Sequence, residues 1–391
     1  MFTELQFKKL LGTARIVCKV PVIRRARSLT WLAVGVMAIL LPARDAQAQG
    51  CIVARSSTQL PMAPEAGGEG VTGYTEGNMW DVTIGYRHQF SFKHFVGPTE
   101  QTYRVQQGTQ VMNKINLEDI NLTYTINSRW SVSADMPLLF ASRRGNSSPY
   151  TLTSSGIGDA TLTGQAWLFN PHKASRGNIQ LGLGVLFPTG RDNVTNVVDA
   201  FNGKGPQPMV VDYSIQPGQG KFGLVMRWQT FLVLSKQTLA YFNGNYIAMP
   251  ATTNNVLRTG QNPTSLTAYN AVSDQYLLQA GITRSFPKVR GLRGLTWSLG
   301  PRMEGVPARN LFPGDNLGFR RPGFAISLEP GLQYSYGNST ASISVGKAIY
   351  RDRTRSVPDI LTGGHGDAAF ADYVWLASYS YRFGGHGSSE H

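Results

Sequence analysis

The residues from Val82 to Phe92 place an apolar side chain at every even position except His88, and a small or polar one at every odd position. Successive side chains of an extended chain point to opposite faces, so this pattern predicts a strand with one oily face. Eleven further segments carry the same signature, around residues 114–126, 129–140, 158–169, 178–187, 221–233, 238–248, 275–286, 294–304, 323–334, 339–350 and 371–383. The segment at 114–126 slips phase between Leu117 and Ile120, which reads as a bulge. After Ala48 no run of about 18 apolar residues occurs, so any crossing of a membrane falls to strands.

Loop lengths decide what the strands build. The connections alternate short and long: Asn127 to Arg129, Phe169 to Gly177, Leu234 to Gln237, Phe286 to Gly294 and Tyr334 to Ser339 are short. Pro188 to Gly220, Met249 to Asp274, Gly305 to Pro322 and Arg351 to Phe370 are long. Transmembrane barrels have an even strand count, short periplasmic turns and longer outer loops. A sheet edge left open in lipid leaves backbone groups unsatisfied, so the sheet must close. The expected fold class is therefore all-β: a closed antiparallel transmembrane β-barrel of about 12 strands spanning 79–383. Charged residues are 15 % of the chain and glycines number 43 of 391, which excludes a disordered or coiled-coil protein.

The first 48 residues read as a signal peptide: a basic region to Arg27, an apolar run from Leu29 to Leu41, then Ala46-Gln47-Ala48. Residues 49–78 then form a periplasmic N-terminal segment or plug, and 384–391 a C-terminal tail. Lipidation of Cys51 is a rival reading, weakened by the poor match of Ala48-Gln49-Gly50 to a lipobox. Two cysteines provide no disulfide framework. The presequence holds 8 basic and 2 acidic residues, so the net charge of +14 falls to +8 in the mature chain, and no nucleic-acid partner is needed to explain it.

In the final segment Tyr373, Trp375, Ala377, Tyr379, Tyr381 and Phe383 share one face. The set Tyr379, Tyr381 and Phe383 resembles the C-terminal assembly signal read by the barrel-assembly machinery of Gram-negative bacteria, although eight residues follow it. Trp80, Tyr124, Trp130, Trp167 and Trp297 suit interfacial girdles. Three glycine-rich motifs, Gly156-Ile157-Gly158-Asp159-Ala160-Thr161-Leu162, Leu186-Phe187-Pro188-Thr189-Gly190 and Gln216-Pro217-Gly218-Gln219-Gly220, resemble the outer-membrane family associated with meta-pathway phenol degradation. The resemblance covers roughly 121–383. It implies an outer-membrane barrel that passes small, often aromatic or apolar, solutes; the substrate does not carry over. Read from the residues alone, the glycines allow tight turns and close strand approach.

Chemistry-bearing patterns are sparse. Neither a Gly-x-Ser-x-Gly nor a His-Glu-x-x-His occurs, and the six histidines lack metal-ligand spacing. No cofactor and no metal are expected, and the chain does not read as an enzyme. Arg87, Lys93, Lys114, Glu118, Asp135, Asp159, Arg227, Arg302, Glu304 and Glu329 are assigned to the phase opposite the oily face, where charge avoids lipid and packs across, or lines, a lumen. Arg143, Arg144, Arg320, Arg321, Arg351, Arg353 and Arg355 fall in outer connections, as a basic rim for lipopolysaccharide phosphates or a funnel for an anionic solute. The leading reading is a monomeric passive channel for a small solute. A non-transporting structural or adhesive barrel with a filled lumen, and an outer-membrane lipase or esterase, are the alternatives.

Overall fold

The computed structural model describes residues 77–145, 148–199, 203, 205–286 and 294–384; the signal-peptide segment, Cys51, all but the end of segment 49–78 and the tail beyond Gly384 lie outside the described residues. Twelve strand positions follow one another around an antiparallel sheet. They are β1 (Met79–Val96), β2 (Val111–Thr125), β3 (Trp130–Gly145), β4 in two pieces (Leu152–Ile157 and Thr161–Trp167), β5 (Gly177–Leu186) and β6 (Gly223–Ser235). The second half comprises β7 (Thr238–Ala248), β8 (Gln275–Ser285), β9 (Leu295–Val306), β10 (Gly323–Tyr336), β11 (Ser339–Asp352) and β12 (Ala368–Gly384). The last strand pairs with the first, Phe383 opposite Trp80, Tyr379 opposite Ile84 and Trp375 opposite His88, and the sheet becomes a barrel.

The outward face forms the apolar belt that alternation predicts. Ile84, Leu122, Leu162, Leu183, Leu299 and Leu328 are all exposed. Aromatic rings mark the end where the short turns lie, with Trp80 against Tyr124 at 4.5 Å between centroids and Tyr381 stacked near Phe383. This belt on a closed sheet makes the chain an outer-membrane barrel, with the short turns periplasmic and the long loops outside. Trp297 stands on the outward phase of β9, but Trp167 does not join the girdle. It points inward and meets Phe231 edge-on at 5.8 Å.

Strand β2 corrects the sequence reading. Its pairing runs without a shift from Val111 opposite Gly145 to Thr125 opposite Ser131, so the phase slip is not a bulge. Instead the apolar residues change faces. Ile120, Leu122 and Tyr124 point out toward lipid, whereas Ile115 and Leu117 point in and pack with Leu139, Ala141, Leu152, Val211 and Ile215. Part of the inside of the barrel's outer half is itself apolar, so the rule that apolar means outward fails there.

The fill comes from the outer loops. The 3₁₀ turn Tyr213–Ile215 buries Ile215 inside the barrel, and Phe95, Val306, Ala325 and Phe370 form a second apolar cluster. Loops 249–274 and 307–322 are joined by Asp274, whose carboxylate accepts from Tyr246 Oη at 2.7 Å, Met249 N at 2.6 Å and Leu311 N at 2.6 Å.

The three glycine-rich motifs meet at one knot where β4 breaks. Asp159 accepts from the amides of Gly190 and Gln219 at 3.1 and 2.7 Å, and Thr189 donates to the Gly158 carbonyl at 2.7 Å while accepting from Ala160 N at 2.8 Å. Beyond the break the outer piece of β4 pairs with β3 alone, and Asn196 caps its free edge by bonding both polar groups of the Thr153 backbone. A Cβ on Gly218 would collide with the Gly190 carbonyl and the Asp159 carboxylate. Gly218→Ala is expected to destabilise the barrel by about 1–3 kcal/mol, seen as a lower denaturant midpoint in detergent. Gly164→Ala, with the nearest atom 4.0 Å from the new Cβ, should leave the midpoint in place.

Candidate functional site

From the periplasmic end the barrel opens into a polar vestibule of about 270 Å³, lined by such residues as Asp81, Asn121, Gln165, Gln229, Asn243 and Ser380. The inward phases of the strands supply these groups, as the alternation dictates. The vestibule ends at mid-barrel against two clusters of buried charge.

The first cluster joins β1 to β9 and β10. Arg87, with 0 % exposure, grips Glu304 with both terminal nitrogens, at 3.0 and 2.7 Å, while its Nε and Nη2 donate to Gln89. Arg302 Nε donates to the same carboxylate at 3.0 Å, and its Nη1 to Glu329 at 3.4 Å. Gln279 donates to the same Glu329 oxygen at 3.4 Å, and Ser344 to the other at 2.7 Å. Two guanidinium groups and two carboxylates thus neutralise one another in a dry interior, where a charge left single is expensive.

The second cluster lies on β2, β3, β4 and β6. Arg227 donates to Asp135 at 2.6 Å, and Thr161 and Asn121 complete the carboxylate at 2.8 and 2.7 Å. Asp119 is buried beside them, a lumen group that the sequence reading passed over.

Of the lumen candidates, Arg87, Asp135, Arg227, Arg302, Glu304 and Glu329 are brought together in these clusters. Asp159 is consumed by the knot in the wall. Lys93 pairs with Asp372 at 3.0 Å near the outer ends of β1 and β12, above the buried layer. Lys114 and Glu118 are a correction: both are exposed on the outward face of β2, alternating with buried Asn113, Ile115, Leu117 and Asp119. The inward apolar patch that shifts the phase of β2 is the reason. Next to them, Asn116 accepts from Tyr86 at 2.9 Å and lies 2.7 Å from His88 Nδ1.

The basic rim is likewise drawn inward. Arg321 holds Asp212 bidentately at 2.8 and 2.7 Å, and Arg143 reaches the same carboxylate at 3.5 Å. Burial alone would raise the Asp212 carboxyl, but Arg143 and Arg321 outweigh it and hold it well below the ordinary range. Arg353 is buried against Asp359, and Arg351 pairs with Asp372. Arg320 is buried and, among the described residues, donates to the carbonyl of Ala308 and the amide oxygens of Asn310 and Asn316. Arg144 and Arg355 remain exposed. The rim is therefore largely a set of struts that hold the loops inside the mouth, because a loop folded into the barrel takes its arginines with it. Arg258 stacks 3.4 Å over the Phe319 ring in the same assembly.

The first and last outer loops are latched by His94 and Arg104 on Asp367, at 2.5 and 3.2 Å, with His94 Nε2 accepting from Val111 N. Among the described residues no group of three His, Cys, Asp or Glu stands where it could hold a metal ion.

No protein-family model and no curated protein matches the chain. An outer membrane channel from Pseudomonas putida F1, solved by crystallography, shares the fold: TM-score 0.54 and 12 % identity, over 79 % of this chain and 97 % of that one. Weaker likenesses are mixed. They include the CymD monoaromatic hydrocarbon channel, at TM-score 0.38, 10 % identity and 80 % and 90 % coverage. The translocator domain of the autotransporter NalP from Neisseria meningitidis follows at 0.41, 9 %, 80 % and 91 %. Nothing rests on these two. The first likeness establishes the barrel fold.

Glu304→Gln removes the shared carboxylate and strands Arg87, so a loss of about 3–5 kcal/mol is expected, measured as a lower unfolding transition in detergent. A double change of Arg87 and Glu304 to Met should cost less than Glu304→Gln. Burial would raise the Asp367 carboxyl, but His94 and Arg104 bring it from the ordinary 3.8 down to about 2. A carboxylate depressed on folding stabilises above its unfolded value and loses that contribution as pH falls through its folded value. Protection of residues 97–110 from hydrogen exchange should therefore persist down to about pH 4 and decline between pH 4 and 2. Asp367→Asn should weaken it already at pH 7.

Proposed function

We propose that the protein is a passive outer-membrane channel for small apolar solutes, working without cofactor or catalysis. The observation that carries this reading is the nature of the barrel interior. Above the polar vestibule the interior holds two apolar clusters, with Ile115, Leu117 and Leu139 in one and Phe95 and Phe370 in the other, beside arginines already paired with carboxylates. An apolar solute crosses such a zone by exchanging one set of dispersion contacts for another, with no polar group left unsatisfied. Among the described residues the mid-depth arginines Arg87, Arg227 and Arg302 are each held by a carboxylate and offer an anion no free counter-charge. The described function of the fold-matched Pseudomonas protein, an outer membrane channel, supports the same class.

The glycine-rich motifs suggest the outer-membrane family associated with meta-pathway phenol degradation, and hence aromatic solutes. Tyr379, Tyr381 and Phe383, lying outward on the closing strand, suit recognition by the barrel-assembly machinery. Lys114 and Arg144, exposed on the outward phases of neighbouring strands toward their outer ends, suit the phosphates of lipopolysaccharide. The closed charge layer favours one second reading, a barrel that fills its lumen and transports nothing.

Uptake separates the two. Expression in a Gram-negative host stripped of its own channels should raise the entry of toluene-sized hydrocarbons and leave hexose entry unchanged. If hydrocarbon entry does not rise in cells that carry the folded protein in the outer membrane, the filled-barrel reading replaces the channel.

A further inference from the structure

One wall of the periplasmic vestibule carries a row of amide side chains. Cross-strand register sets Trp167 of β4 opposite Gln180 of β5, Gln180 opposite Gln229 of β6, and Gln229 opposite Asn243 of β7. All four residues line the vestibule. Neighbouring strands lie about 4.8 Å apart, so the three amides span about 10 Å of wall. Gln180 and Gln229 have no side-chain partner among the described residues, and their amide atoms are open rather than buried. On the inward phase of a closed barrel that opening faces the vestibule. Asn243 accepts from the Thr230 amide at 3.1 Å with its oxygen and keeps its Nδ2. The row ends at Gln279, opposite Asn243, which donates to Glu329 in the first charge cluster.

One step toward the periplasm the same wall turns aromatic. Phe231 stands opposite Tyr241, two residues along from Gln229 and Asn243 and so about 7 Å below them. Tyr241 in turn stands opposite Gly281, where an added Cβ would come within 2.6 Å of its hydroxyl and 2.8 Å of its Cζ. The bare glycine lets the tyrosine ring lie against the wall. Charge around the shelf is already matched, Arg227 by Asp135 above the row and Arg382 by Asp81 near the lip. Among the described lining residues Arg129 alone lacks a carboxylate, and it lies at the turn below, donating to the carbonyls of Trp167 and Leu168. A charged ligand would therefore find no counter-charge at the row, and a wholly apolar one would desolvate the amides without replacing their hydrogen bonds.

We propose that this shelf binds a neutral saccharide entering from the periplasm. A sugar ring has an apolar C–H face and, around its rim, adjacent hydroxyls that each donate and accept. Phe231 and Tyr241 receive the apolar face. The carboxamides of Gln180 and Gln229 each set a donor beside an acceptor, which matches a pair of neighbouring hydroxyls, and Asn243 Nδ2 donates to a further oxygen. The vestibule, at about 270 Å³, is many times the roughly 10–15 Å³ that one water needs, which leaves room for a sugar ring. Because the vestibule ends at the charge clusters, the sugar is held rather than passed, and the site stands whether or not the barrel conducts hydrocarbons.

The probes are maltose, for a free sugar, and N,N′-diacetylchitobiose, for the amino-sugar glycan of the cell wall, with triglycine as a neutral peptide. Binding is read by titration calorimetry on the folded protein in an amine-oxide detergent, which carries no sugar of its own. At least one disaccharide should bind. The double change Gln180→Ala and Gln229→Ala should weaken that binding about tenfold, with the melting temperature of the free protein unchanged, since neither amide holds another protein group. Gln333→Ala, on β10 outside the row, should bind as the wild type does. Preference for diacetylchitobiose supports the wall glycan as the source, and preference for maltose supports a free sugar. If neither disaccharide binds, or the double variant binds as tightly as the wild type, the shelf holds water only and the proposal is overturned. If triglycine binds and the sugars do not, the amides read a peptide and the saccharide assignment falls. Hydrocarbon uptake is measured separately, so failure here leaves the channel reading where it stands.

Discussion

Closure of the sheet is the constraint on which everything else depends. Without the pairing of β12 with β1, each strand would present a row of amide and carbonyl groups to hydrocarbon, which offers none in return. Closure satisfies the wall, but it also creates an interior that must be filled or hydrated. This chain does both. Its periplasmic half keeps a polar vestibule, and its outer half is packed with apolar side chains and inward loops.

The boundary between the halves is held by charge. Arg87, Arg302, Glu304 and Glu329 reach across the lumen from β1, β9 and β10 and form one neutral group, while Arg227 and Asp135 do the same on the other side. The outer surface shows the complementary economy. Arg321 and Arg353 in the loops hold Asp212 and Asp359, and Arg351 at the end of β11 holds Asp372 on β12, so the loops become part of the fill. The break in β4 belongs to the same plan. Where Asp159 and the glycines 158, 190 and 218 meet, the wall yields its regular pairing and the loop 187–222 turns in.

Much of this was legible from residue order. The twelve strands, their approximate limits, the short turns at one end and the closing partnership of the first and last strands follow from period-2 alternation and from loop length. So does the inward placement of Arg87, Arg227, Arg302, Glu304 and Glu329. The exceptions share one cause. Residue order places Lys114 and Glu118 inside because Ile115 and Leu117 read as lipid-facing; it places Trp167 outside because aromatic rings favour the interface. In each case the interior is not uniformly polar, so the polarity of a side chain does not say which way it points.

By itself, then, the sequence determined that the chain must cross the membrane as a closed sheet, since alternation makes strands with an oily face and lipid forbids an open edge. Only the tertiary structure decided which charges become partners, because Arg87 and Glu304 are 217 residues apart and meet through curvature and register alone. It also decided that loops occupy the lumen, and so converted a rim of basic residues into internal struts. Proximity across a closed barrel depends on the stagger of every strand between, and that is a property of the whole sheet.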